Sequence, residues 1–155
     1  AGYCLVGTAE QNGMRMISVI LNTKDEKERL SASQELLSYG FKNFQLVEAI
    51  REGMVVGDIA VKKGKKLSVP VKVDSGVTSV VPAARKNDIK TVLLKDTDSL
   101  NSPAAAGTPV GKLEVKLDDR TLAVVNVSTA EDAPRAGFFE LLFRSIGNFL
   151  RNLFK

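Results

Sequence analysis

With 155 residues, 44% hydrophobic and 26% charged side chains, the chain can build one or two small globular domains and is not disordered by composition. It has no histidine and one cysteine, Cys4, which excludes disulfide frameworks, zinc clusters and any Ser-His or Cys-His catalytic arrangement. Basic side chains outnumber acidic ones by only 22 to 18, an excess that fits an anionic partner without implying nucleic acid.

No run approaches ~18 uninterrupted apolar residues, so no spanning helix is expected. No basic-then-apolar leader opens the chain either. There is no initiator Met, and Ala1 to Glu10 read like the middle of a strand, so the N-terminus is expected to be a cut. Cys4 reads as a small buried hydrophobe. No cofactor is expected, and a metal site would need carboxylates alone.

In chain order, Tyr3 to Ala9 and Met14 to Leu21 are apolar runs flanking Gln11-Asn12-Gly13, and Asn-Gly between such runs predicts a β-hairpin. The second run is apolar on both faces, with Met14, Met16 and Ile20 on one side and Ile17, Val19 and Leu21 on the other. Such a strand belongs inside a layered sheet. Thr23-Lys24-Asp25-Glu26 has the form of a capping box. The helix it predicts carries Leu30, Leu37, Phe41 and Phe44 on one stripe, interrupted by Gly40, and runs out near Ile50. A hairpin and one helix in about 50 residues are too little to bury these faces, so upstream sequence is expected to be missing.

After Arg51-Glu52-Gly53 the period becomes alternating, at Met54 to Val61, Leu67 to Val73, Val77 to Val81, Ile89 to Leu94, Val110 to Leu117 and Leu122 to Val127. Six short strands separated by turn residues predict an antiparallel sandwich or barrel. One of those turns, Lys62-Lys63-Gly64-Lys65-Lys66, is the densest basic cluster of the chain. It reads as a solvated hairpin loop or as a contact to an anionic surface, either lipid or wall polymer. Thr129 to Ala136, with Pro134 and small or charged residues, is a linker in composition.

The last segment, residues 137 to 155, holds five of the seven phenylalanines: Phe138, Phe139, Phe143, Phe149 and Phe154. Helical spacing puts Phe139, Leu142, Phe143, Ile146, Phe149, Leu150 and Leu153 on one face, opposite Glu140, Arg144, Asn148, Arg151 and Lys155. The cationic polar face at a chain terminus predicts an interfacial helix that anchors the chain to an anionic membrane surface. Docking on a partner protein is the main rival.

Five stretches, Ala1 to Val6, Gly13 to Val19, Leu36 to Phe41, Val110 to Leu113 and Gly137 to Phe139, together resemble one family, the low-molecular-mass penicillin-binding proteins, which are serine-type D-alanyl-D-alanine carboxypeptidases. Ala1-Gly2-Tyr3-Cys4-Leu5-Val6 resembles the strand that follows the family's K-T-G motif, and Gly13-Met14-Arg15-Met16-Ile17-Ser18-Val19 resembles the next strand. Leu36-Leu37-Ser38-Tyr39-Gly40-Phe41 resembles the last helix of the catalytic domain. Val110-Gly111-Lys112-Leu113, the turn at Leu117-Asp118-Asp119 and the tail opening Gly137-Phe138-Phe139 fall where the family has a β-sandwich and then an amphipathic anchor. The order matches from end to end.

The resemblance implies an α+β fragment of a β-lactamase/transpeptidase-like catalytic domain (1–50), an all-β sandwich spacer (51–132), and a linker with a C-terminal amphipathic helix (133–155). The parent protein is then expected to trim peptidoglycan stem peptides through a serine acyl-enzyme, to bind penicillin, and to sit peripherally on the outer face of a bacterial cytoplasmic membrane. The fragment itself departs from the catalytic pattern. No serine has lysine three residues later, K-T-G is absent, and Ser99-Leu100-Asn101 fits S-x-N only by chance, in a turn. It is expected to be inactive alone.

Arg29 falls where the family carries an arginine near the substrate's terminal carboxylate, which a guanidinium fork suits. Its competing role is a helix-surface pair with Asp25 or Glu26. Glu10, Asp25, Glu26 and Glu28 read as hairpin and helix surface. The alternative class is a non-catalytic β-sandwich adaptor with a membrane- or partner-binding helix. Oligomeric state has no sequence signal.

Overall fold

The computed structural model describes residues 2–138. In chain order the elements are β1 (Tyr3–Gln11), β2 (Met14–Thr23), α1 (Glu26–Asn43), β3 (Phe44–Ile50), β4 (Val55–Lys62), β5 (Ser68–Val73), β6 (Val77–Pro82), a 3-10 turn (Ala83–Asp88), β7 (Ile89–Lys95), β8 (Ser99–Asn101), β9 (Pro109–Leu117) and β10 (Arg120–Thr129). They form two compact units. The first takes Ala1–Ala49 and Thr78–Ile89; the second takes Ile50–Val77 and the described residues from Lys90 onward. The segment with β6 and the 3-10 turn, expected in the sandwich, thus belongs to the first unit.

In the first unit β1 and β2 pair antiparallel from Gln11↔Met14 to Tyr3↔Thr23. Asn12 and Gly13 at the turn both have positive φ, 52° and 74°, the geometry that matches the twist of two-residue hairpins. Helix α1 packs on the face carrying Met14, Met16, Ser18 and Ile20. Contact is close because the residues at the crossing are small. The Ser18 and Ser33 hydroxyls hydrogen-bond at 2.6 Å in the buried interface, and a Cβ at Gly7 would lie 2.8 Å from Ser33 Oγ.

The helical stripe differs from the expected one. Leu30 is exposed, and the inward residues are Ser33, Leu37 and Gly40. The helix also stops earlier than its apolar periodicity predicts. Asn43 Nδ2 donates to the Tyr39 carbonyl at 2.8 Å, Phe44 turns extended at φ −125°, ψ 153° while its N–H closes on the Gly40 carbonyl, and Phe44 opens β3, which pairs with β6. Phe44 continues the spacing of Leu37 and Phe41 by accident. Beyond it, burial alternates with period two through Leu46, Val47, Glu48 and Ala49.

The second unit is one six-stranded sheet in the order β7-β9-β10-β5-β4-β8. A purely antiparallel layer was expected; β8 instead joins β4 in parallel, pairing Ser99–Asn101 with Ala60–Lys62. Ser99-Leu100-Asn101 is therefore an edge strand and not a turn. Fully buried positions alternate along the strands, as Val69, Val71 and Val73 on β5 and Leu113 and Val115 on β9, so one face makes the core. The sheet curls on itself. Leu93 of β7 lies against Gly57 of β4, and Lys95 Nζ donates to the Asp58 carbonyl at 2.7 Å.

Gly111 is required at its place on β9. A Cβ there would sit 2.1 Å from the Leu94 carbonyl oxygen, and its φ is +152°. At the opposite turn, Asp118 holds φ 52° between β9 and β10, a conformation aspartate tolerates better than most residues.

The segment from Thr129 to Ala136 is no free linker. Ala133 and Ala136 are buried, Asp132 Oδ1 accepts the Ala106 N–H at 2.7 Å, and Ala133 exchanges backbone hydrogen bonds with Ala104 at 2.7 and 3.1 Å. Small side chains look like linker in sequence, yet here they let two backbones meet. The amphipathic helix expected beyond it lies outside the described residues except for its first positions, Gly137 and Phe138.

Candidate functional site

The start of α1 and the open end of the hairpin meet around Arg29. Asp25 is the N-cap, extended at φ −148°, ψ 177°, and its Oδ1 accepts the Glu28 N–H at 2.8 Å. Glu28 reaches back to accept the Lys24 N–H at 2.8 Å. The expected capping box is therefore displaced by two residues, from Thr23 and Glu26 to Asp25 and Glu28. Thr23 is otherwise occupied, because its hydroxyl donates to the Tyr3 carbonyl at 3.1 Å and locks the strand ends together.

One turn into the helix, Arg29 points at β1. Its Nη1 donates to the Cys4 carbonyl at 3.3 Å, its Nη2 pairs with Glu26 Oε1 at 2.9 Å, and the guanidinium lies 5.6 Å from the centre of the Tyr3 ring. Nε is buried and has no hydrogen-bond partner among the described residues. The surface pair with Glu26 is thus formed, but it uses only part of the five-donor fork. A planar cation held by a carbonyl, a carboxylate and a ring face keeps further N–H donors beyond those bonded to Cys4 and Glu26. Tyr3 and the Cys4 carbonyl were not singled out by sequence reasoning, because they become Arg29's neighbours only through the packing of α1 against β1.

Cys4 itself is exposed, not buried as expected. It lies at the register slip between Tyr3 and Leu5, and the alternation that carries Leu5 and Gly7 inward turns Cys4 outward with Val6 and Thr8, its thiol 3.5 Å from the Gly2 carbonyl. Glu10, Asp25, Glu26 and Glu28 are exposed hairpin and helix groups, and Glu10 pairs with Arg15 at 2.7 Å.

A cavity of about 300 Å³ lies at the other end of the hairpin, among Gln11, Asn12, Met14, Phe41, Lys42, Phe44, Gln45, Leu46 and Ala83. It is a full strand length from Arg29 and shares no residue with that corner. Of the expected membrane-facing residues only Phe138 is described, and the residue is 75% exposed. Phe139, Leu142, Phe143, Arg144, Ile146, Phe149, Leu150, Arg151, Leu153, Phe154 and Lys155 lie outside the described residues. Among the described residues no helix is long and apolar enough to cross a membrane.

The fold and sequence place this chain among known proteins. Residues 44–135 match the family model for the C-terminal domain of penicillin-binding protein 5, and the chain belongs to that family. Curated relatives are D-alanyl-D-alanine carboxypeptidases. DacF of Bacillus subtilis is 28% identical over 152 residues, covering 97% of this chain and 39% of that protein. DacA of Escherichia coli K12 is 28% identical over 139 residues, covering 90% of this chain and 34% of that one.

Among solved structures, penicillin-binding protein 5 from Haemophilus influenzae superposes with a TM-score of 0.63 at 29% identity, over 87% of this chain and 40% of that one. The carboxypeptidase DacD from Francisella tularensis gives 0.62 at 28%, over 87% and 34%. The chain thus spans less than half the length of these relatives. The family resemblance read from the sequence holds.

Proposed function

We propose that this chain is the C-terminal part of a membrane-associated serine D-Ala-D-Ala carboxypeptidase of the bacterial cell envelope. The whole enzyme would trim peptidoglycan stem peptides through an acyl-enzyme and be acylated by penicillin in the same way. The first unit completes its catalytic domain, the second is a spacer, and the tail anchors it at the outer face of the cytoplasmic membrane.

The observation that carries this reading is the reach of the likeness. The alignments to carboxypeptidases cover 90% to 97% of the chain, so they include the hairpin and α1 and do not stop at residues 44–135 of the C-terminal family. The hairpin agrees in its physics. Val6, Ile17, Val19 and Leu21 leave its second face apolar and exposed, and β1 pairs only with β2 among the described residues. A strand with one unpaired edge and a bare apolar face is suited to the interior of a larger sheet.

Arg29 then holds the substrate's terminal carboxylate with the donors that Glu26 and Cys4 leave available. A serine nucleophile supplied by the rest of the parent would attack the D-Ala-D-Ala carbonyl and release the terminal D-alanine. The test is to express the open reading frame containing this sequence and assay release of D-alanine from a D-Ala-D-Ala peptide. Activity lost on replacing an upstream S-x-x-K serine supports the reading. An inactive parent without such a motif leaves the non-catalytic adaptor module.

A further inference from the structure

The basic loop singled out in the sequence is not a loose hairpin tip. Lys62, Lys63, Lys65 and Lys66 are all exposed, whereas Gly64 between them is buried. The loop backbone is stitched to the segment that leads into the tail. Lys65 N–H donates to the Pro134 carbonyl at 2.8 Å, and Ala136 N–H donates to the Lys63 carbonyl at 2.9 Å. Gly64 and Arg135 form an antiparallel bridge, and Lys66 Nζ pairs with Glu131 at 2.6 Å. From the other side, Ser102 fixes the Lys62 and Lys63 carbonyls at 3.0 and 2.9 Å.

The consequence is geometric. Four lysines and Arg135 are held beside Ala136, immediately before the tail begins at Gly137. Two large apolar side chains flank this collar: Leu67 is 66% exposed and Phe138 75%. Cations flanked by exposed apolar groups suit a surface with anionic headgroups over hydrocarbon. A sugar-phosphate polymer would satisfy the lysines but leave Leu67 in water.

We propose that the Lys62–Lys66 loop, with Arg135 and Leu67, is a second membrane contact that docks on anionic phospholipid headgroups around the root of the tail. It rests on the reading of the tail as a membrane anchor. The tail supplies insertion, and the collar supplies selection for anionic lipid and holds the spacer end against the surface, because two contacts restrict tilt where one does not.

The test uses the 155-residue chain with vesicles of phosphatidylcholine, with and without phosphatidylglycerol, at several salt concentrations. The triple variant Lys62→Gln, Lys63→Gln, Lys65→Gln keeps Lys66 and its bond to Glu131. Each removed cation should weaken partitioning onto the anionic vesicles by about fivefold, flatten the salt dependence, and leave binding to pure phosphatidylcholine unchanged. The Lys→Arg triple should bind like the native chain.

Equal partitioning of the Gln triple and the native chain overturns the proposal. So does an equal loss on both vesicle types, or recovery of the native chain on an anionic wall polymer in preference to the vesicles. Removing residues 137–155 is read separately. Unchanged binding there refutes the tail as anchor, while the difference between Gln and Arg triples still decides the loop.

Discussion

The two units are built on the same device, a sheet with alternating side chains, and bury it to very different degrees. On β5 of the second unit Val71 is 0% exposed; on β2 of the first unit Ile17 is 69% exposed. The curled sheet closes over its own valines, so its stability is internal. The hairpin covers one face with α1 and leaves the other to water, so that face carries no folding energy within the described residues. A bare apolar strand face is suited to a further packing surface, whereas a closed core needs none.

The largest effect expected from breaking this contrast is at Gly111. Gly111→Val should unfold the second unit or cost more than about 3 kcal/mol, because strand β7 must separate from β9 to admit the side chain; a denaturant melt within about 0.5 kcal/mol of native would show that the sheet edge is loose. Next comes Leu113→Ala, fully buried on β9, with an expected loss of about 2 to 5 kcal/mol.

Ile17→Ala sharpens the comparison from the other side. In the 155-residue chain it should change stability by less than about 0.5 kcal/mol, whereas in the longer parent it should cost about 2 kcal/mol or more if the face is covered there. Equal small losses in both would mean that nothing packs on the hairpin. Arg29→Ala in the parent should lower kcat/KM by about tenfold to a hundredfold, the worth of a charge-assisted hydrogen bond. Unchanged kinetics would confine Arg29 to its structural contacts with Glu26, Cys4 and Tyr3. Asp25→Ala should cost the cap about 1 kcal/mol, measured by thermal melting, and Asp25→Asn most of an order less.

Much of this was legible in the sequence where one local rule governs. Asn12-Gly13 fixed the hairpin, the alternating runs marked the strands of the curled sheet, and the ordered resemblance pointed to the family. Reading failed where a local rule met a non-local one. Phe44 sits on the helical stripe but obeys β3. Val77 to Val81 has the pattern of a sandwich strand but pairs with β3. Ala133 and Ala136 look like linker because small residues serve both slack chain and close backbone contact. Around Arg29, the i,i+3 partner Glu26 could be read from spacing, while Tyr3 and Cys4 could not, since the packing of α1 against β1 brings them there.

The most direct test of the central claim is covalent labelling of the longer parent protein with a fluorescent penicillin, beside the 155-residue chain. The expected result is one stable adduct on the parent, abolished by replacing its S-x-x-K serine, and none on the 155-residue chain. A parent that folds, carries this sequence and takes no label would contradict it.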